Sequence, residues 1–269
     1  MPEIQTDLVV RWDGRPTNEA PTLLLLHGLT DSGAGWREAV THWGRDYAVL
    51  IVDQRGHGES PRFTRDQLAA HPGEVMVEDA IAVLEQLGSA PVVVGHSLGG
   101  AVALTVAVRR PDLVRGVVLE DPAPRGPDDA QRDPSRGEGM VEGLRASLDA
   151  PDDDALLRLR RESHPTWPES ELLVTGRAEQ QMDLEYLEYG DYKPTTPWTE
   201  LFAELTVPAL VLTGDGPEGI CVDEEVEQGL ADIGNGNVTL ARVEGAGHCV
   251  RREQPEEFYA LVDDWLRVN

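Results

Sequence analysis

Lys193 is the only lysine in this chain of 269 residues; arginine supplies the rest of its 23 basic side chains. Against them stand 49 acidic side chains, for a net charge of −26. Such a surface repels polyphosphate, which excludes nucleic acid as a partner. Two origins fit the imbalance: a surface kept soluble in high salt, or a GC-rich coding sequence that favours Arg over Lys and is rich in Asp, Glu, Ala and Gly. Cysteine is equally scarce. Cys221 and Cys249 cannot form a disulfide framework in a chain this long. No Cys/His cluster has zinc spacing, so no metal or other cofactor is expected. Long hydrophobic runs are missing too: nothing approaches the ~18 apolar residues of a membrane span. MPEIQTDLVVRW carries no basic segment leading into an apolar one. The expectation is a cytoplasmic protein with a small-molecule substrate and no membrane partner, self-association being left open.

With 40% hydrophobic residues the chain can bury one substantial core. PTLLLLHG (21–28), YAVLIVD (47–53), PVVVGHS (91–97), VRGVVLED (114–121) and VPALVLTGD (207–215) are continuous apolar runs. That is the pattern of parallel strands covered on both faces. Helical patterns fall between and after them at 35–44, 74–88, 98–109, 222–233 and 255–267. Alternation of this kind predicts an α/β fold with a mostly parallel central sheet flanked by helices. Asp13-Gly14 in LVVRWDGRP reads as a hairpin turn at an antiparallel edge.

Residues 122–206 break the rhythm. A Pro-, Gly- and charge-rich start leads into helical patterns near 139–148, 153–162 and 169–189, with no strand run. This reads as a helical insert between two halves of a core, 1–121 and 207–269. Its aromatics, among them Trp167, Tyr186 and Trp198, either line a pocket or seat the insert on the core.

The most informative stretch is PVVVGHSLGGAVALTVAVRR. A strand runs into Gly95-His96-Ser97-Leu98-Gly99, and a helix follows. G-x-S-x-G gains its meaning from that strand–turn–helix context. The turn must be strained to present the Ser97 hydroxyl, and Gly95 and Gly99 let strand and helix approach. The helix N-terminus then favours negative charge developing beside the hydroxyl.

On these residues the chain resembles the α/β-hydrolase superfamily along essentially its whole length, in particular compact serine esterases and C–C hydrolases with a helical lid. LLLLHGLTDSGAGW (23–36) is similar to that family's His-Gly oxyanion loop. The resemblance implies that the N–H groups of Leu29 and Leu98 form an oxyanion hole, worth roughly 3 kcal/mol per donor. It makes His27 structural and places Gly28, Trp36 and His96 near the pocket. VDQRGHGESP (52–61) resembles a structural family segment, with His57 bracing a loop. LARVEGAGHCVRREQPEEF (240–258) matches the last strand, Gly-rich loop and catalytic histidine, which makes His248 the general base for Ser97. His42, His71 and His164 carry no motif and read as surface or structural. Epoxide hydrolases and haloalkane dehalogenases of this superfamily need an aspartate where Ser97 stands.

The base needs an acid, in chain order Ser, acid, His. Most members place it after the strand that follows the lid. Here that position is Pro217, with Asp215 two residues early and Glu218 one late. Other members use the end of the preceding strand, which is Asp121 in VVLEDPAP. Asp121 is preferred, with Asp215 and Glu218 as alternatives. Asp223, Glu224 and Glu225 start a helix and suit its dipole. The resemblance makes the loops of Cys221 and Cys249 neighbours, but free thiols are expected.

Overall fold

A computed structural model describes residues 1–127, 129, 132–216 and 219–269. Seven strands form one sheet: β1 Val10–Gly14, β2 Thr22–Leu26, β3 Ala48–Val52, β4 Val92–His96, β5 Gly116–Glu120, β6 Ala209–Gly214 and β7 Val238–Val243. Their spatial order is β1-β3-β2-β4-β5-β6-β7. Only β1 runs antiparallel, and it pairs with β3. The expected hairpin at Asp13-Gly14 is therefore not one. Gly14 ends β1 at φ 75°, and the next amide, Arg15 N–H, bonds Tyr47 O just ahead of β3.

Five strands, β2 to β6, are buried at every position. Side chains alternate across a strand, so each run serves two cores. Leu24, Leu26, Val93, Val117 and Val211 enter one, with Val102 and Val106 of the helix Leu98–Arg109 and Val77 of Pro72–Leu84. Leu23, Leu25, Val94, Val118 and Leu210 enter the other, with Trp43 of Arg37–Trp43 and Phe258 and Val262 of Pro255–Val268. Continuous apolar runs are what a sheet covered on both faces requires.

Between β5 and β6 lie the helices Pro134–Leu148, Asp153–Ser163, Glu169–Gln180, Leu184–Tyr189 and Trp198–Glu204, with no strand among the described residues. The single helical pattern read at 169–189 is two helices. Asp183 breaks it, accepting hydrogen bonds from Tyr186 N and from Phe63 N of the sheet domain. A side chain that caps one helix and ties it to the core outcompetes continuation of the previous one.

From β2 the chain winds to β3 on one side and then to β4 on the other. Crevices at such switch points, outside the carboxyl ends of parallel strands, are where ligands bind in open α/β sheets.

Candidate active site

Ser97 stands at that switch point. Leu26 of β2 pairs with Gly95 of β4, so His27-Gly28-Leu29 and His96-Ser97-Leu98 leave the sheet side by side. Ser97 has φ 51° and ψ −114°, a conformation side-chain-bearing residues avoid. Two glycines make the turn fit. A Cβ on Gly99 would sit 2.2 Å from Leu26 O and 2.5 Å from His27 O. One on Gly95 would sit 2.4 Å from Gly99 O. Thr30 (φ 64°) and Asp121 (φ 36°) are also left-handed, so three of the four non-glycine residues at positive φ among the described residues border this site. Strain of that kind persists only where surroundings over-determine it.

Gly28 lies against the nucleophile turn: a Cβ there would be 2.8 Å from His96 Nδ1 and 3.2 Å from Ser97 Cβ. Leu98 opens the helix Leu98–Arg109, so its N–H has no partner within it. Among the described residues neither that N–H nor the N–H of Leu29 meets an acceptor. The Ser97 hydroxyl likewise makes no hydrogen bond among them.

Asp121 follows β5 and is fully buried. Its Oδ1 accepts hydrogen bonds from Thr213 Oγ1 at 2.9 Å and Val222 N at 3.0 Å. Its Oδ2 accepts from Cys221 N at 2.9 Å and lies 2.5 Å from His248 Nδ1. Bonding at Nδ1 fixes the ring and leaves Nε2 to take a proton. Burial opposes charge on His248, but the bond to Asp121, together with Cys221 and Cys249, outweighs it and raises the pKa above 6.5. Asp215 is exposed, and its Oδ1 accepts from Gly245 N at 2.7 Å. Glu218, like Pro217, lies outside the described residues. Asp223 caps the helix Glu224–Ile233 by accepting from Glu225 N and Val226 N.

His27 and His57 brace loops. His27 Nε2 accepts from Gln54 N, and its Nδ1 bonds Gly28 O; His57 Nδ1 bonds Arg55 O. Both cysteines are free. Ligand-type atoms of Asp121, Cys221 and His248 come within 4.8 Å of one another although the sequence shows no metal spacing. The Asp121 carboxylate is already met by three donors and the His248 ring, so the cluster is a hydrogen-bond hub.

A cavity of about 570 Å³ touches Leu29, His96 and His248 and extends along the helical segment to Arg160, Trp167 and Arg252. Of the aromatic pocket candidates, Trp167 lines it. Trp36 does not: it is fully buried in the core, with the Arg251 guanidinium 4.1 Å over its ring. Tyr186 is fully buried too, packed 4.7 Å from Phe63 and 5.5 Å from Tyr192 between ring centroids. Trp198 packs on Gly229 of the helix Glu224–Ile233. Trp36 and Tyr186 sit where water is fully excluded and wide rings gain most, and the partly buried Trp198 packs one helix on another. His164, read as surface or structural, lines the cavity and stacks on Trp167 at 3.8 Å. Burial and the charges of Arg160 and Arg252 push its pKa down to about 4.

Sequence reading missed the ionic cluster behind the cavity. Arg252 bonds Asp31 at 2.7 Å and Glu171 at 2.7 Å, and Arg251 bonds Glu120 at 2.8 Å, all fully or nearly fully buried. The one available signal was the pair Arg251-Arg252 directly after the His248-Cys249-Val250 stretch.

The sequence profile of the Alpha/beta hydrolase family matches residues 23–261, and the chain belongs to that family. Over 108 residues it is 39% identical to Epoxide hydrolase B of Mycobacterium tuberculosis, covering 39% of this chain and 30% of that protein. The leading curated relatives are thus matched over only about a third of their length. One relative is matched nearly throughout: the (E)-2-((N-methylformamido)methylene)succinate hydrolase of Acinetobacter baylyi, 26% identical over 268 residues, covering 93% of this chain and 92% of that one. The solved E-2-(acetamidomethylene)succinate hydrolase has the same fold, with TM-score 0.78 at 19% identity, covering 97% of this chain and 95% of its own. So does the enol-lactonase of Burkholderia xenovorans, with TM-score 0.71 at 21% identity over 97% and 96% of the two chains.

Proposed function

We propose that the protein is a serine hydrolase cleaving a carboxylic ester or related acyl substrate. The observation that carries this is the 2.5 Å bond between His248 Nδ1 and the buried Asp121 carboxylate, one strand over from the Ser97 turn. Ser97 Oγ attacks the carbonyl carbon while His248 Nε2 takes its proton. The N–H groups of Leu29 and Leu98 receive the oxyanion, and His248 returns the proton to the leaving group. Water, deprotonated by the same histidine, then cleaves the acyl-enzyme and regenerates Ser97. Asp121 holds the ring and stabilises its charged form. The helices between β5 and β6 act as a lid over the site, residues 122–206 against a core of 1–121 and 207–269. No step needs a cofactor.

A second reading uses the same residues on a lactone, an amide or a C–C bond. It is favoured by the nearly full-length relative named a succinate hydrolase and by the enol-lactonase fold match. Epoxide opening fits poorly despite the Epoxide hydrolase B match, since Ser97 holds the place of the aspartate such enzymes need. The test is a panel of short p-nitrophenyl esters, lactones and diketones with wild type and Ser97→Ala, together with fluorophosphonate labelling. Activity lost in Ser97→Ala, and a label on Ser97, are expected. Full activity in that variant would sink the mechanism.

A further inference from the structure

We propose that Arg160 and Arg252 form a carboxylate subsite, so that the preferred substrate is an acyl compound carrying a second, anionic carboxyl group. This rests on Ser97 being the nucleophile, next to His96, which with Leu29 and His248 lines the other part of the same cavity.

The argument is one of unspent hydrogen-bond capacity. Arg160, on the helix Asp153–Ser163, and Arg252, just after His248, both line the cavity. Their side chains are 12% and 4% exposed. Arg160 donates from Nη1 to Glu179 at 2.7 Å, while its Nε is buried and meets no partner among the described residues. Arg252 uses Nε on Glu171 and Nη2 on Asp31, which leaves Nη1 without a hydrogen bond among them. Three carboxylates also line the cavity, but each is engaged. Asp31 is held by Arg252, Glu179 by Arg160, and Glu253 by N–H groups of Trp167 and Gly247.

What is left over is therefore on the donor side. A buried guanidinium N–H without an acceptor costs about 1–3 kcal/mol, and native structures rarely leave one so. A carboxylate on the substrate supplies the missing acceptor, and the planar fork of arginine matches its two oxygens. The two guanidiniums also converge on one ring, Arg252 at 4.8 Å and Arg160 at 5.9 Å from the Trp167 centroid. His164 lies against the same pair: burial first, and then the charges of Arg160 and Arg252, hold its pKa down at about 4.

The experiment compares monomethyl adipate with methyl hexanoate, esters of equal chain length that differ in a terminal carboxylate. In wild type, kcat/KM is expected to favour the adipate ester at least tenfold. Arg160→Gln should bring that ratio to within about twofold, mainly through KM, and Arg160→Lys should restore part of it. No preference in wild type, or a preference that survives Arg160→Gln, overturns the subsite. Calorimetry of free adipate with Ser97→Ala separates this from the failure of the hydrolase reading. Binding there that is lost on adding Arg160→Gln supports the subsite even if neither ester turns over. Absence of binding counts against it.

Discussion

Asp121 collects donors from three parts of the chain: the Thr213 hydroxyl, the amides of Cys221 and Val222, and the His248 ring. A carboxylate so satisfied keeps its position whether or not substrate is present. Asp121→Asn should therefore lower kcat/KM by about 10³–10⁴, the size of loss known when a triad acid is amidated. Asp215→Asn, which only weakens a loop bond to Gly245, should cost a few-fold at most. The same hydrogen bond fixes the pH profile. His248 must be neutral to accept a proton, and its raised pKa puts the acid limb of kcat/KM above pH 6.5. Removing the largest raising partner in Asp121→Asn should move that limb to lower pH. A limb unmoved in the variant would mean that another group holds the imidazole. The proposed acid was half legible in the sequence: Asp121 follows a strand, but so does Asp215, and only tertiary contact, the His248 bond to Asp121, separates them. Arg160 and Arg252 were not legible as cavity residues. Arginine is mostly exposed, and the partners that bury Arg252 lie 81 and 221 residues away in the chain.

At the scale of elements, the turn from β4 into the helix Leu98–Arg109 depends on two missing side chains. Gly99→Ala drives a methyl group into the carbonyls of Leu26 and His27, backbone atoms that cannot swing aside. A loss of about 1–3 kcal/mol is expected, read as a lower midpoint in urea unfolding. Gly143→Ala is the contrast. Gly143 lies inside the helix Pro134–Leu148 with nothing within 4 Å of an added Cβ, so this change should stabilise by about 0.5–1 kcal/mol. Equal effects from both would refute the packing account of the turn. Strands and sheet-flanking helices were legible because parallel strands with two covered faces write continuous apolar runs. The break at Asp183 was not, since a cap that also reaches Phe63 is a contact between distant segments.

For the whole molecule, a net charge of −26 means that every exposed carboxylate sits in the field of many others. Self-repulsion of this kind weakens with screening, whose length falls from about 10 Å at 0.1 M to about 3 Å at 1 M salt. The thermal midpoint should rise between those concentrations of sodium chloride. A midpoint that fell would show that the surface ion pairs, such as Arg110 with Glu85 and Asp112, outweigh the repulsion.

With the proposed acid on the tip of β5 and the base beyond β7, β6 lies between them and lends only a hydroxyl and the amides that follow it. On that reading Asp215 is released from chemistry, while Gly216 and Gly219 border the cavity. Gly216 and Gly219 can change without disturbing the proton path, whereas at Cys221 the backbone has an anion to hold. Divergence of substrate among relatives can thus be concentrated in a rim that the reaction does not own.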